Sequence, residues 1–237
     1  MIKDKRIAVV TGASSGLGKS ISIKLSLNDY HVVLASRNLN RLNQIADIIK
    51  SKEGSCTVVQ ADVTLPRSVK DLKKTVEELG NVSLLINNSG VGKFSKFSES
   101  TIEDWDLQLN TNLRGSYLVS RAFIKQMQEN KNGTIVFINS VAGKFGYPYS
   151  AAYVSSKFGL RGFAESLRNE LREFNIKIIS VFPGAINSSF WDKLNTKFAR
   201  DEMLNSEDVA DSIIHAINAP GITTIEEFTI RRLGGDF

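Results

Sequence analysis

Residues 6–18 read RIAVVTGASSGLG, and this stretch determines how the chain begins to fold. Residues 7–10 form a short apolar run, which predicts a buried β-strand. Gly12, Gly16 and Gly18 follow, and apolar residues then recur at helical spacing. Glycine lets the backbone approach a ligand closely, and a helix N-terminus supplies N–H donors. A first strand that turns into a helix in this way is typical of pyrophosphate-binding α/β domains.

The glycine spacing leaves one alternative open. Gly12-x-x-x-Gly16-x-Gly18 differs from the G-x-G-x-x-G of the commonest dinucleotide fingerprint, so an ordinary glycine turn could produce it. Its position in the first strand-to-helix turn of the chain favours nucleotide binding.

The end of the second predicted strand, residues 31–36, bears on the choice of nucleotide. A domain specific for NAD usually carries an acidic residue here, whereas this chain has Ser36 followed by Arg37. A serine leaves room for a 2′-phosphate, and an arginine can pair with that phosphate. The pattern therefore favours NADP(H) over NAD(H). The alternative is a surface arginine that begins a loop.

Short apolar runs and helical patterns alternate along the rest of the chain, which is typical of an α/β fold. Further strands are predicted at 56–61, 82–86, 135–138, 176–182 and 228–230. Helices are predicted at 39–49, 66–79, 100–127 and 150–174, with a last one from Ser206.

The size and composition predict one domain over residues 1–237. The chain is 42% hydrophobic and has four prolines, and no low-complexity tract marks a linker. Its apolar runs have strand length, so neither a signal peptide nor a membrane span is expected. The single cysteine, Cys56, predicts a small buried side chain in a cytoplasmic protein. His31 and His215 lie far apart in the sequence, so no metal site is expected.

The net charge of +5 raises the question of nucleic-acid binding. Basic and acidic residues are interspersed, as in Lys70-Asp-Leu-Lys-Lys74, which favours a solvated surface of mixed charge. No nucleic-acid partner is therefore expected.

The stretch from Ser140 to Lys157 carries the residues best suited to acid–base chemistry. It joins a predicted strand to a predicted helix, on which Tyr153 and Lys157 are four positions apart and share a face. A neighbouring ammonium favours the phenolate and lowers the phenol pKa. The Ser140 hydroxyl can hydrogen-bond a substrate oxygen beside the phenol. Taken alone, however, Tyr-x-x-x-Lys also recurs by chance on helix surfaces.

Polar residues also follow the third and fourth predicted strands. Asp62 and Val63 come after the third strand, where an acid can accept from an adenine amino group or serve as a loop residue. Residues 87–90, Asn-Asn-Ser-Gly, follow the fourth. Asn112 lies within a predicted helix, and Gly115 three residues later indicates a distorted turn in which Asn112 could hold a water.

Residues 187–205 are long for a connection and include Phe190, Trp191 and Phe198. Segments of this length often close over a binding site, so we predict a substrate lid here. The alternative is a small surface helix that packs its own aromatic side chains.

Taken together, these motifs resemble the short-chain dehydrogenase/reductase family in its compact single-domain form. The resemblance rests on the glycine turn after Thr11, on residues 87–90 and on Pro183-Gly184 after the sixth strand. It also includes a complete match to the family's catalytic tetrad, Asn112, Ser140, Tyr153 and Lys157. Ser89 stands where the family usually has alanine, and Ser188 where it often has threonine.

The resemblance implies a Rossmann-type, doubly wound sheet of about seven parallel strands. It implies that Tyr153 donates a proton to a carbonyl while NADPH supplies a hydride. Lys157 would lower the Tyr153 pKa and hold the nicotinamide ribose, Ser140 would orient the carbonyl, and Asn112 would hold a water. The predicted cofactor-binding residues are Gly12, Ser14, Ser15, Gly16, Leu17, Gly18, Ser36, Arg37, Asp62, Val63, Asn88, Ser89, Gly90, Tyr153, Lys157, Pro183, Gly184, Ile186 and Ser188.

The resemblance leaves the substrate and the assembly open. The leading function is reduction of a small-molecule carbonyl to an alcohol, or the reverse reaction. The alternatives are a 3-oxoacyl-carrier-protein reductase and a non-catalytic redox sensor that binds NADP(H). The protein is expected to be a homodimer or homotetramer, with the helices of residues 100–127 and 150–174 forming the subunit interface. The predicted substrate pocket is partly apolar and lined by Val91, Val141, Tyr147, Phe190 and Trp191.

Overall fold

The computed structural model describes residues 6–192, 199–220 and 222–235. The strands are β1 (Arg6–Thr11), β2 (Tyr30–Ser36), β3 (Ser55–Gln60), β4 (Val82–Asn87), β5 (Gly133–Ile138), β6 (Ile176–Pro183) and β7 (Glu227–Ile230). The helices are α1 (Gly16–Ser26), α2 (Leu39–Ser51), α3 (Pro66–Leu79), α4 (Ile102–Leu109), α5 (Gly115–Glu129), α6 (Ala151–Leu171) and α7 (Ser206–Ile217).

Within the described residues, seven strands form one parallel sheet in the order β3-β2-β1-β4-β5-β6-β7. The strand order reverses between β1 and β4. In doubly wound sheets this switch point opens a crevice at the carboxyl ends of the strands. The structure confirms the predicted fold class and number of strands.

Helices cover both faces of the sheet, and the alternation along β1 shows how the two cores arise. Ala8 and Val10 point to one face and pack in a core with α1, α2 and α7. Ile7 and Val9 point to the other face and pack with α3, α5 and α6. Because both faces of a parallel sheet are buried, its central strands are apolar at most positions.

The long helix predicted over residues 100–127 is interrupted in the structure. Thr101 caps α4 by accepting a hydrogen bond from the Asp104 N–H at 3.1 Å. A π-helical turn, Asn110–Arg114, then separates α4 from α5. This turn is the distortion predicted from Asn112 and Gly115. A Cβ added at Gly115 would lie 2.8 Å from Val63 Cγ2, so the glycine allows the turn to pack against the end of β3.

Cys56 is half-buried, which corrects the expectation of a buried side chain. It lies on β3, which pairs only with β2 and forms one edge of the sheet. An edge strand is less covered than a central one.

A buried arginine on α6 joins β6 to the start of β7, the strand at the other edge of the sheet. The Arg168 guanidinium, on α6, donates to the Ile178 carbonyl of β6 at 3.2 Å and to the Glu226 carbonyl at 2.9 Å. Buried polar groups need such partners to be stable. This role could not be predicted from local patterns, because Arg168 lies among surface-type charges on the helix.

None of the helices that the structure describes is long and apolar enough to cross a membrane.

Two glycine-to-alanine substitutions should affect folding in opposite directions. A Cβ at Gly18 would lie 2.3 Å from the backbone oxygen of Gly12, and backbone atoms cannot easily move away. Gly18→Ala should therefore lower the free energy of unfolding by about 1–3 kcal/mol. A Cβ at Gly162, exposed on α6, would meet nothing within 4 Å. Gly162→Ala should raise the free energy of unfolding by about 0.5–1 kcal/mol.

Urea unfolding of the wild type and both variants measures these changes. A Gly18→Ala variant as stable as Gly162→Ala would contradict the close approach of α1 to the turn.

Candidate active site

The crevice at the switch point is held together by the Thr11 hydroxyl. The buried hydroxyl donates to the Ile86 carbonyl at 3.2 Å and accepts from the N–H groups of Asn88 and Ser89 at 3.0 and 3.1 Å. The Asn88 amide also donates to the carbonyls of Thr11 and Gly12, at 3.0 and 3.2 Å. These bonds fix the end of β4 against the glycine turn.

The glycine turn exposes backbone to the cavity at two positions that carry no side chain, Gly12 and Gly16. Gly12 and Gly16 have φ values of +64° and +51°, a region that favours glycine. A Cβ at Gly12 would lie 2.8 Å from Asn88 Nδ2, and one at Gly16 would lie 2.9 Å from Ser188 Cβ. Ser15 precedes α1 in an extended conformation, and its side chain makes no capping bond. The first N–H groups of α1 can therefore serve an anion.

A cavity of about 1180 Å³ runs along the carboxyl ends of the strands. All nineteen predicted cofactor-binding residues line it, from Gly12 in the turn to Ser188 after β6. Ser140, Tyr153 and Lys157 line the same cavity, whereas Asn112 lies behind its wall. The tertiary structure therefore brings three of the four predicted catalytic side chains to the predicted nucleotide site.

Ser36 and Arg37 line the cavity where β2 ends. Arg37 is exposed. Arg41 and Asn38 line the cavity beside them. Asn38 caps α2 by accepting from the Arg41 N–H at 3.0 Å. Sequence reasoning missed Arg41, although its position in the first turn of the helix after Arg37 was a usable signal.

The Asp62 carboxylate is held by its own loop. Its Oδ1 accepts from the N–H and the hydroxyl of Thr64 at 2.9 and 2.7 Å. The carboxylate is therefore oriented at the end of β3, next to Val63 on the cavity wall.

Ser140, Tyr153 and Lys157 meet where β5 leads into α6. Ser140 begins a 3₁₀ turn, Val141–Gly143, in which its hydroxyl accepts from the Ala142 N–H at 3.1 Å. The same hydroxyl hydrogen-bonds the Tyr153 phenol. Lys157 Nζ donates to the Ile138 carbonyl at 2.9 Å and lies 5.7 Å from the centre of the Tyr153 ring.

Asn139 holds these two elements together. Its Nδ2 donates to the Lys157 carbonyl on α6 at 3.1 Å, and its Oδ1 accepts from the Ser140 N–H at 2.9 Å. A Cβ at Gly143 would lie 2.4 Å from that Oδ1, so only glycine fits beside it. Asn139 was not among the predicted site residues.

Burial controls the charge state of both ionisable groups. It raises the pKa of Tyr153 to about 12, although the Ser140 hydrogen bond lowers it. It lowers the pKa of Lys157 to about 8. The expectation that Tyr153 has a pKa below that of a free phenol therefore does not hold in this structure, because desolvation outweighs the hydrogen bond. At neutral pH the phenol keeps its proton, which suits a proton donor.

The Asn112 side chain is bonded to the loop after β4. Its Oδ1 accepts from the Val91 N–H at 2.8 Å, and its Nδ2 donates to the Val91 carbonyl and to Ser156 Oγ, both at 2.9 Å. The side chain is fully buried and both amide hydrogens are used. It therefore fixes the loop after β4 through Val91.

The predicted lid, residues 187–205, is described at both ends, whereas residues 193–198, including Phe198, lie outside the described part. Ile186 and Leu204 form a parallel β-bridge that closes the base of the segment. Arg200 donates to Asn187 Oδ1 at 3.0 Å and to the Ser188 carbonyl at 2.7 Å. These contacts hold the two ends of the segment together, next to the stretch that carries Phe190 and Trp191.

The predicted pocket residues Val91, Val141, Tyr147, Phe190 and Trp191 all line the cavity. Phe94 lines it as well, with its ring centre 5.6 Å from that of Tyr153. Sequence reasoning missed Phe94 because nothing in the loop after β4 indicated which way its side chain points. Among the described residues, no group of three or more His, Cys, Asp or Glu side chains could hold a metal ion.

Comparison with known proteins agrees with this geometry. A family model described as short chain dehydrogenase matches residues 6–199. The chain is 33% identical to a sepiapterin reductase from Chlorobaculum tepidum, over 98% of each protein. It resembles a metagenomic short-chain oxidoreductase solved in complex with NADP, at 30% identity, 98% coverage of both chains and a TM-score of 0.85. It also resembles an alcohol dehydrogenase from Thermococcus sibiricus, solved with 5-hydroxy-NADP, at 25% identity, 97% coverage of both and a TM-score of 0.90.

The fold, the glycine turn and these matches identify the class of protein as an oxidoreductase with a Rossmann-type sheet. The chain belongs to the short chain dehydrogenase family.

The buried Lys157 predicts a pH dependence of stability. Its pKa falls from 10.5 to about 8 on folding, so between these values the unfolded chain binds more protons than the folded one. Stability therefore rises with pH in this range. Between pH 7.5 and 9.5, wild type should gain about 2 kcal/mol in unfolding free energy relative to Lys157→Met.

Urea unfolding of both proteins at several pH values measures this difference. Parallel curves over the range would show that Lys157 titrates as an exposed lysine does.

Proposed function

We propose that this protein reduces a small-molecule carbonyl to an alcohol with NADPH, and catalyses the reverse oxidation with NADP⁺. The observation that carries the proposal is the meeting of a half-buried, protonated Tyr153 with Ser140 and Lys157 in the cavity that also contains the glycine turn. Two solved relatives with NADP or 5-hydroxy-NADP bound support the choice of cofactor.

The residues present fit a dinucleotide. A pyrophosphate can approach the backbone at Gly12 and Gly16, which carry no side chain, and can bind at the N-terminus of α1. Ser36, Arg37 and Arg41 suit a 2′-phosphate, because a guanidinium pairs with phosphate through two parallel bonds. When bound, the reduced cofactor supplies the hydride that the carbonyl carbon accepts.

The side chains of this protein then supply the proton. Tyr153 donates its phenolic hydrogen to the carbonyl oxygen, and Ser140 hydrogen-bonds the same oxygen. The Lys157 ammonium, 5.7 Å from the ring centre, stabilises the phenolate that forms. The overall reaction converts a carbonyl, NADPH and one proton into an alcohol and NADP⁺.

The protonation state of Tyr153 at neutral pH suits the reduction. Reduction needs the protonated phenol, which is the form present at neutral pH, whereas oxidation needs the phenolate. Trp191, in the described part of the proposed lid (residues 187–205), lines the cavity, and Asn112 holds Val91 in its wall.

We place the subunit contact of a homo-oligomer on the helices predicted for it. Trp105 on α4, Tyr117 on α5 and Phe158 on α6 are 38%, 43% and 44% exposed, which is high for large apolar side chains.

Replacing Tyr153 with phenylalanine tests the proton donor. The change removes one hydroxyl and requires no new space, so it should lower kcat for ketone reduction by about 10²- to 10⁴-fold. The dissociation constant of NADPH should change less than threefold. Steady-state kinetics and fluorescence titration measure the two quantities.

Tyr30→Phe, on β2 and outside the cavity, is the matched control and should retain wild-type activity. Substantial ketone reduction by Tyr153→Phe would exclude the proposed mechanism. Failure of the wild type to oxidise NADPH with any carbonyl would favour the non-catalytic sensor.

Replacing Arg37 with alanine tests the preference for NADPH. Loss of a charge-assisted contact should weaken NADPH binding by about 10- to 100-fold and leave NADH binding nearly unchanged. Adding Ser36→Asp should invert the preference, because a carboxylate accepts from the ribose 2′-hydroxyl and repels the phosphate.

Arg67→Ala, on the exposed part of α3, is the control and should alter neither affinity. Equal losses for NADH and NADPH in Arg37→Ala would contradict the assignment of Arg37 to the 2′-phosphate.

A further inference from the structure

The Tyr153 phenol lies within a cluster of aromatic rings. The ring centres of Phe94 and Phe190 are 5.6 and 6.0 Å from that of Tyr153. Trp191 lies 5.3 Å from Phe190 and 6.2 Å from Phe94. Two of these pairs, Phe94–Tyr153 and Phe190–Trp191, have the edge-to-face geometry that aromatic rings prefer. We call Phe94, Phe190 and Trp191 the aromatic wall.

The aromatic wall depends on a glycine. A Cβ at Gly92 would lie 2.5 Å from Phe190 Cζ and 3.2 Å from Phe94 Cζ, so any other residue here would push both rings away. Trp191 is anchored by its indole N–H, which donates to the Ile186 carbonyl at 2.9 Å. The wall therefore has defined positions beside the reacting phenol.

The charges near the wall already have partners. Apart from Lys157 and the residues assigned to the nucleotide, the charged side chains among the described cavity residues are Lys93 and Arg232. Lys93 lies 3.9 Å from the Asp104 carboxylate. Arg232 pairs with the Glu202 carboxylate and donates to the Gly235 carbonyl. Within the described cavity, each of these two cations therefore already lies beside a carboxylate.

We propose that the substrate is a neutral carbonyl compound with an aromatic ring one or two bonds from the carbonyl carbon, bound against the aromatic wall. This inference rests on the proposed function, because it requires the carbonyl oxygen to sit at Tyr153. An aromatic ring gains edge and face contacts with the wall that a saturated ring of the same size lacks. A carboxylate near the wall would lose its hydration without gaining a counter-ion.

Matched ketones separate the ring from the chemistry. Phenylacetone and cyclohexylacetone carry the same unconjugated carbonyl and differ in the aromaticity of the ring. We expect phenylacetone to have a kcat/KM about 5- to 50-fold higher with NADPH. Phenylacetone with a carboxylate on the ring should be reduced at least tenfold less efficiently than phenylacetone itself.

Variants connect this preference to the wall. Phe94→Leu keeps an apolar side chain but removes the ring, so it should reduce the phenylacetone preference by about 3- to 10-fold. Gly92→Ala should reduce it as well, by displacing Phe190. Neither variant should alter the dissociation constant of NADPH by more than threefold. Phe97→Leu, whose ring is 77% exposed and outside the cavity, should behave as wild type.

Binding without turnover distinguishes failure of this inference from failure of the proposed function. The dissociation constants of both ketones are measured with Tyr153→Phe saturated with NADP⁺, from tryptophan fluorescence. Tighter binding of phenylacetone supports the inference even if wild type reduces neither ketone. Equal binding and equal turnover of the two ketones, or a preference for the carboxylate, would overturn the inference and leave carbonyl reduction standing.

Discussion

The active site depends on the burial of one ammonium group. Lys157 is 4% exposed, and its Nζ donates to the carbonyl at the end of β5. A buried cation is costly unless it is paired or hydrogen-bonded, so this contact holds the first turns of α6 against the strand. Asn139 reinforces the contact from the other side by bonding the Lys157 carbonyl. Tyr153, one turn earlier on α6, is thereby placed beside Ser140.

The same burial sets the chemistry. Desolvation raises the pKa of the phenol and lowers that of the amine, so their neutral forms are both favoured. A phenol held in its protonated form can transfer a proton only when negative charge develops on a nearby oxygen. The site therefore suits the proposed reduction, in which a carbonyl oxygen gains negative charge as its carbon accepts a hydride.

The fold and most of the site could be predicted from local patterns. Alternating apolar runs and helical periodicity predict the parallel sheet, and glycines at positions 12, 16 and 18 predict the turn that carries positive φ values. The spacing of Tyr153 and Lys157 places them on one helix face. These features are local, because they depend on residues within about two turns or one strand.

The order of the elements and the identity of the reactive side chains follow from the amino-acid sequence alone. Which of these side chains meet, and in what charge state, depends on the three-dimensional packing. Asn112 holds Val91 through its side chain, and Phe94 faces Tyr153. Both results depend on contacts between residues far apart in the chain. Burial, which sets the pKa of Tyr153, likewise depends on the whole fold, and no local pattern of residue types contains that information.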